Sequence, residues 1–290
     1  MKQMTYENAI ELEGLSKSFD DFQLKDISFA LPRGTIMGLI GENGAGKTTT
    51  IKLLLSLLRP DSGTIRLFDR PLNGDDPYLR SCIGSVLDQG FFYEELTPKQ
   101  MANVLRRCHP HWDDRYFAQL LDRFGLSDGK RCKDMSRGMK AKLKLTLAMA
   151  PHPQLLLLDE PTSGLDPVAR SEFLDLLQEF MQDENCSILL SSHITSDLER
   201  IADYITYIHQ GRLLFSEETT SLLENYAVYR CGWEDFQQLS ACQYAGYRKN
   251  AFGCDVLIQN RDSFTQEHPD AVLDPASLED IMTLHAQRPQ

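Results

Sequence analysis

Over the first thirty residues apolar and polar positions alternate, with Ala9, Ile10 and Leu12 before Asp20-Asp21 and Ile27, Phe29 and Leu31 after it. A period of two belongs to strands buried on one face, so the pattern predicts two antiparallel strands. Pro32-Arg33-Gly34 reads as a turn and Thr35 to Ile40 as a buried strand. A loop over Gly41 to Gly46 leads into a predicted helix, Lys47 to Leu58, which Arg59-Pro60-Asp61-Ser62-Gly63 ends. A strand from Thr64 to Phe68 follows. From about 91 to 150 the period becomes helical and β-branched residues thin out, which predicts a helical subdomain inserted into an α/β core. The core resumes with strands Leu155 to Leu158, Ser187 to Ser191 and Tyr204 to His209, separated by helices Ala169 to Met181 and Ser196 to Ala202. Alternation of strand and helix at this spacing predicts a mainly parallel sheet. After Gly211 come a short helix (Ser221 to Asn225), strands at Ala227 to Arg230 and Cys254 to Ile258, and a closing helix, Pro275 to His285. The expected division is a main domain over 1–218 and a small α+β extension over 219–290.

Composition narrows this only a little. A chain of 290 residues, 42% hydrophobic and 25% charged, is that of an ordinary globular protein with one large domain and a small one. The net charge of −12 argues against nucleic acid and against an anionic membrane surface as partners. No apolar run approaches the roughly 20 residues that span a bilayer, and the first residues lack the apolar core of a signal peptide. Seven cysteines without a Cys-x-x-Cys pair point to reduced thiols and a cytoplasmic chain. The spacing of Cys231, Cys242 and Cys254 fits no zinc pattern, and His109 and His111 read as turn or surface residues. The expected role at a membrane is therefore peripheral, through another polypeptide.

Two motifs carry chemistry. Gly41-Glu-Asn-Gly-Ala-Gly-Lys-Thr48 matches G-x-x-x-x-G-K-[ST] between a predicted strand and a predicted helix. Glycines let successive backbone N–H groups curl around a phosphate, and the helix N-terminus adds a positive field. Gly41, Asn43, Gly44, Ala45, Gly46, Lys47, Thr48 and Thr49 are thus expected to bind nucleotide phosphates, with Thr48 also a Mg²⁺ ligand. In Leu155-Leu-Leu-Leu-Asp-Glu160 four apolar residues bury a strand, so Asp159 and Glu160 emerge at its carboxyl end. Asp159 is placed to reach Mg²⁺, and Glu160 to polarise an attacking water.

Together with Met135 to Pro167 these motifs resemble those of ABC-type ATPases, over roughly residues 5 to 215. The resemblance implies a P-loop NTPase core with a mainly parallel sheet, an antiparallel β subdomain and an inserted helical subdomain. It also implies residue roles. Phe19 resembles the aromatic that stacks on adenine, with Phe22 close by. Gln89 resembles the Q-loop residue that links Mg²⁺ to the helical subdomain. Ser136 and Gly138 resemble the signature residues that bind the γ-phosphate held by the opposite subunit. Asp166 resembles the D-loop carboxylate, and His193 the switch histidine. Lys47, Gln89, Glu160 and His193 would form the catalytic set, and Thr48, Gln89 and Asp159 the metal set.

The signature here is Met135-Ser136-Arg137-Gly138-Met139, with Arg137 in place of a glycine and Met139 in place of a glutamine. That version resembles a subgroup of bacterial ABC-2-type exporter ATPases. Implied partners are ATP, a second copy or a related ATPase chain, and an integral membrane permease. The aromatic run Phe91-Phe92-Tyr93 reads either as core or as a groove for a permease loop. Lys140, Lys142 and Lys144 are expected on a solvated helix flank, because two-residue spacing spreads them around a helix. The alternative is a soluble ABC ATPase acting on ribosomes or DNA, and the single domain, acidic charge and lack of heptads weigh against it. A non-catalytic regulatory module is inconsistent with Glu160.

Overall fold

A computed structural model describes residues 6–74, 76–88 and 94–285. Strands β1 (Asn8–Ser18) and β2 (Gln23–Pro32) precede β3 (Ile36–Ile40), helix α1 (Lys47–Leu54), β4 (Ser62–Leu67) and a short β5 (Arg70–Pro71). Helix α2 (Pro77–Ser81) and β6 (Ile83–Val86) lead to the helical insertion of α3 (Pro98–Leu105), α4 (Asp114–Arg123) and α5 (Arg137–Met149). Then come β7 (Leu155–Asp159), α6 (Pro167–Phe180), β8 (Ser187–Ser191), α7 (Thr195–Ile201), β9 (Tyr204–His209) and β10 (Arg212–Glu218). The C-terminal part holds α8 (Thr219–Asn225), β11 (Ala227–Cys231), α9 (Trp233–Gln238), β12 (Gly246–Lys249) and β13 (Cys254–Ile258). It ends with α10 (Arg261–Glu267), β14 (Leu273–Pro275) and α11 (Leu278–His285). None of the described helices is long and apolar enough to cross a membrane.

The central sheet has the order β10-β9-β3-β8-β7-β6, parallel throughout except for the antiparallel edge strand β10. Register aligns the carboxyl ends: Leu39 and Asp159 both pair with Ser191, and Ile40 pairs with Tyr207. The loops after β3, β7 and β8 therefore open on one edge of the sheet. A second, antiparallel sheet, β2-β1-β4-β5, covers one face of the core. The unbroken leucines of β7 are explained by burial on both faces. Leu155 and Leu157 pack toward the antiparallel sheet with Leu39 and Ile51, while Leu156 and Leu158 pack toward Leu143, Phe173 and Leu190.

Two sequence expectations shift. Helix α1 stops at Leu54 instead of Leu58, because Ser56 adopts a left-handed conformation at φ 55°. Its N–H donates to Leu53 O (3.0 Å) and that of Leu57 to Lys52 O (2.9 Å), a Schellman closure with serine where glycine is usual. The three lysines of α5 are half-buried, and each is paired on this flank. Lys140 Nζ lies 3.4 Å from Glu94, Lys142 Nζ 2.6 Å from Glu172 on α6, and Lys144 Nζ donates to Leu87 O and Asp88 O. Burial lowers the Lys144 pKa. Helix α5 is thereby bonded to the segment after β6 and to α6.

The C-terminal sheet, β12-β13-β11-β14, is wholly antiparallel and has a small core of Phe236, Cys254, Val256, Ile258 and Phe264. Helices α8 and α11 face the other way. Leu222, Leu278, Ile281 and Leu284 join the same apolar cluster as Leu198 and Ile201 of α7. Glu199 accepts from Leu278 N at 2.7 Å, and Tyr207 Oη donates to Met282 O at 3.1 Å.

Candidate functional site

The loop after β3 bends where only glycine fits. Gly41 has φ 152°, and a Cβ there would stand 2.2 Å from Ile208 O in the neighbouring strand. Gly46 has φ 119°, and a Cβ there would press on Leu24 at 2.7 Å and on the Phe22 ring. Among the described residues no side chain caps the start of α1, so its first-turn N–H groups and dipole face outward as an anion site. The cavity above the loop measures about 540 Å³ and is lined by Phe22, Asn43, Gly44, Lys47, Thr49 and Glu160, among others.

Lys47 is 6% exposed, and its ammonium donates to Gly41 O (2.7 Å) and Glu42 O (3.2 Å). Desolvation lowers its pKa, and the Glu160 carboxylate, 3.7 Å away, opposes that. Thr48 Oγ1 donates to Asp159 Oδ2 at 2.8 Å, which joins the phosphate loop to the end of β7. A hydroxyl and a carboxylate oxygen beside a phosphate cradle are the hard donors that Mg²⁺ prefers, so the residues fit that ion. Glu160 follows with φ 49°, an unusual conformation for a side chain with a Cβ. Its Oε2 contacts His193 Nδ1 at 2.6 Å and accepts from the His193 N–H at 3.2 Å. The turn after β7 and the turn after β8 are therefore joined at the cavity.

Lys47, Thr48, Asp159, Glu160 and His193 thus converge, although they come from three separate stretches of chain. Other expected residues lie elsewhere. Phe22 lines the cavity, whereas Phe19 is 44% exposed with its ring centre 6.4 Å from that of Phe22. Ser136 is the exposed N-cap of α5 and accepts from Met139 N at 3.2 Å. Asp166 caps α6, accepting from Ala169 N (2.9 Å) and Val168 N (3.1 Å), and these bonds hold its carboxyl below the usual range. Neither Ser136, Gly138 nor Asp166 lines the cavity of its own chain. Gln89 and Phe91-Phe92-Tyr93 fall outside the described residues. Motif reading misses Asp88, which lines the cavity beside Glu160. It also passes over the bonds that Ser191 makes to Asp159 and Glu160, for which the only signal is a polar residue ending an apolar strand.

The family model described as ABC transporter matches residues 24–163. Over 218 residues the chain is 38% identical to the ABC transporter ATP-binding protein YtrB of Bacillus subtilis, covering 75% of this chain and 74% of that protein. Over 214 residues it is 36% identical to the bacitracin transport ATP-binding protein BcrA of Enterococcus faecalis, covering 73% and 70%. A solved ATP-binding subunit of an ABC transporter superposes with a TM-score of 0.69 at 29% identity, over 74% of this chain and 92% of that one. Likeness on this scale, running through the phosphate loop and the strand that ends at Asp159, places the chain in the family of ABC transporter ATP-binding subunits, which bind ATP with Mg²⁺ and hydrolyse it.

Proposed function

We propose that this chain powers an exporter of the ABC-2 type, from the cytoplasmic face of a membrane and through an integral permease. Two copies, or one copy and a related ATPase chain, close on two ATP molecules. Each ATP lies between the phosphate loop of one subunit and the Ser136–Gly138 turn of the other.

The observation that carries this reading is Gly138. A Cβ there would make only ordinary contact with Leu165 of its own chain, at 3.6 Å, and the residue does not adopt a positive φ. Glycine in a helix is unfavourable relative to alanine, so its presence calls for a close neighbour that the described residues of this chain do not supply. A triphosphate presented by a second subunit is such a neighbour. The acidic charge weighs against ribosomes or DNA as the target, and the relatives named above are transport proteins.

In this mechanism the γ-phosphate replaces Glu160 as the neighbour of the Lys47 ammonium. Phe19, exposed beside Phe22, offers a face to the adenine. Glu160, steadied by His193, is released to polarise the water in line with the phosphate. Thr48 and Asp159, with Gln89, would hold Mg²⁺, which would supply charge neutralisation at the phosphates. Asp166 sets the start of α6, so its loop is presented to the opposite subunit as a fixed element. Residues 219–290 form an accessory unit on the ATPase domain, 1–218.

The test is recovery of the Glu160→Gln chain from detergent-solubilised host membranes with Mg-ATP. A polytopic membrane protein in stoichiometric amount, with the ATPase dimeric by light scattering, is the expected result. Ribosomes or DNA instead would overturn the transporter reading. A monomer with full activity would overturn the sandwich.

A further inference from the structure

Ser191 is completely buried at the end of β8, in register with Asp159 on one side and Leu39 on the other. Its hydroxyl lies 2.7 Å from Asp159 Oδ1 and 3.0 Å from the Glu160 N–H. A carboxylate only accepts and an N–H only donates, so the rotor has one orientation: it donates to Asp159 and accepts from Glu160. The backbone of the same residue also takes part, since Ser191 O accepts from Glu160 N at 3.1 Å. The next residue differs. Ser192 bonds within its own turn, accepting from Ile194 N at 2.9 Å.

We propose that Ser191 is a positioning residue for the hydrolytic site: one hydroxyl orients the carboxylate of Asp159 and holds the strained backbone of Glu160. With Oδ1 engaged by Ser191, Oδ2 is the oxygen turned to Thr48 and hence to the metal. Glu160 at φ 49° is kept in an unfavourable conformation by the two Ser191 oxygens, and that conformation aims its carboxylate at the cavity, between Lys47 and His193. An ordinary buried serine would be satisfied by backbone partners. This one spends both its donor and its acceptor capacity on the two acids of the site. The inference rests on reading Thr48 and Asp159 as the metal-holding pair and Glu160 as the group that polarises water.

The experiment compares Ser191→Ala, Ser191→Cys and Ser191→Thr in the full chain. Mn²⁺ affinity is read by electron paramagnetic resonance with a non-hydrolysable ATP analogue, and kcat and KM by steady-state ATPase assay. Loss of a partner that orients a metal ligand typically costs about 10–100-fold in affinity or rate, and a loss of that size is expected for Ala in both Mn²⁺ affinity and kcat. Cysteine, nearly isosteric but a weak donor, should fall with Ala, and Thr should restore both. ATP-analogue binding without metal should stay unchanged. A merely structural role would lower the amount of active protein while leaving the Mn²⁺ affinity of the folded fraction as it was.

Ala or Cys with Mn²⁺ affinity and kcat like the parent's would overturn the proposal. Should Ala not fold, Cys decides alone. A Glu160→Gln control separates the two levels: if it retains turnover, the reading of Glu160 fails. If it is inactive while Ser191→Ala is unchanged, only the role of Ser191 fails.

Discussion

Glu160 is the residue on which most of the site bears. Its two carboxylate oxygens are divided between the buried ammonium of Lys47 and the ring of His193, and its backbone is held by Ser191. A group that accepts a proton in the transition state contributes about 10²–10⁴-fold, so Glu160→Gln should lower kcat by that factor while nucleotide affinity is kept. Steady-state assays and equilibrium binding of a fluorescent ATP analogue check both halves. Lys47→Ala should behave in the opposite way, losing nucleotide binding itself, since its ammonium is the cation buried beside the loop. The Lys47 and Glu160 motifs were legible because each is contiguous: glycines, lysine and threonine run together, and so do four leucines and two acids. Ser191 was not, because its partnership crosses 31 residues and depends on strand register.

Among the elements, two glycines make opposite predictions. Gly84 in β6 has no room: a Cβ would meet Ala148 O at 2.5 Å and Leu156 at 2.8 Å, where α5 crosses the sheet. Overpacking of this kind costs about 1–3 kcal/mol, so Gly84→Ala should lower the thermal midpoint. Gly138 has room, and alanine is the better helix former by up to about 1 kcal/mol. Gly138→Ala should therefore leave stability unchanged or raised while impairing ATP-driven dimerisation, measured by light scattering in the Glu160→Gln background. A fall in stability with dimerisation intact would count against the sandwich. Strand β6 itself escapes a pattern reading, because Ile83-Gly-Ser-Val is short and carries a glycine. Strands β7 and β8 are plain, because burial makes their apolar runs continuous.

For the whole molecule, the C-terminal part lies where two different cores meet. Its own sheet buries Val256 and Phe264, yet α8 and α11 complete the cluster that contains Leu198 and Ile201 of α7. Ile281→Ala removes a fully buried side chain at that junction, and such truncations cost about 2–5 kcal/mol. Thermal unfolding of Ile281→Ala should shift accordingly, and a chain ended at Glu218 should be less stable than the full one because Leu198 and Ile201 lose their cover. An unchanged midpoint in the shortened chain would mean that the junction contributes nothing.

The sequence by itself determined where the chemistry sits: local patterns specify a phosphate cradle and a buried strand that ends in two acids, Asp159 and Glu160, because each is made by neighbours in the chain. It also determined the alternation of strand and helix that buries a parallel sheet. Tertiary structure decided which of these groups meet. Parallel register puts Asp159 opposite Ser191, the turn after β8 brings His193 to Glu160, and the packing of α5 brings its three lysines to three different neighbours. Such contacts join positions far apart in the chain, and only packing, which trades backbone entropy for buried area and satisfied polar groups, selects them.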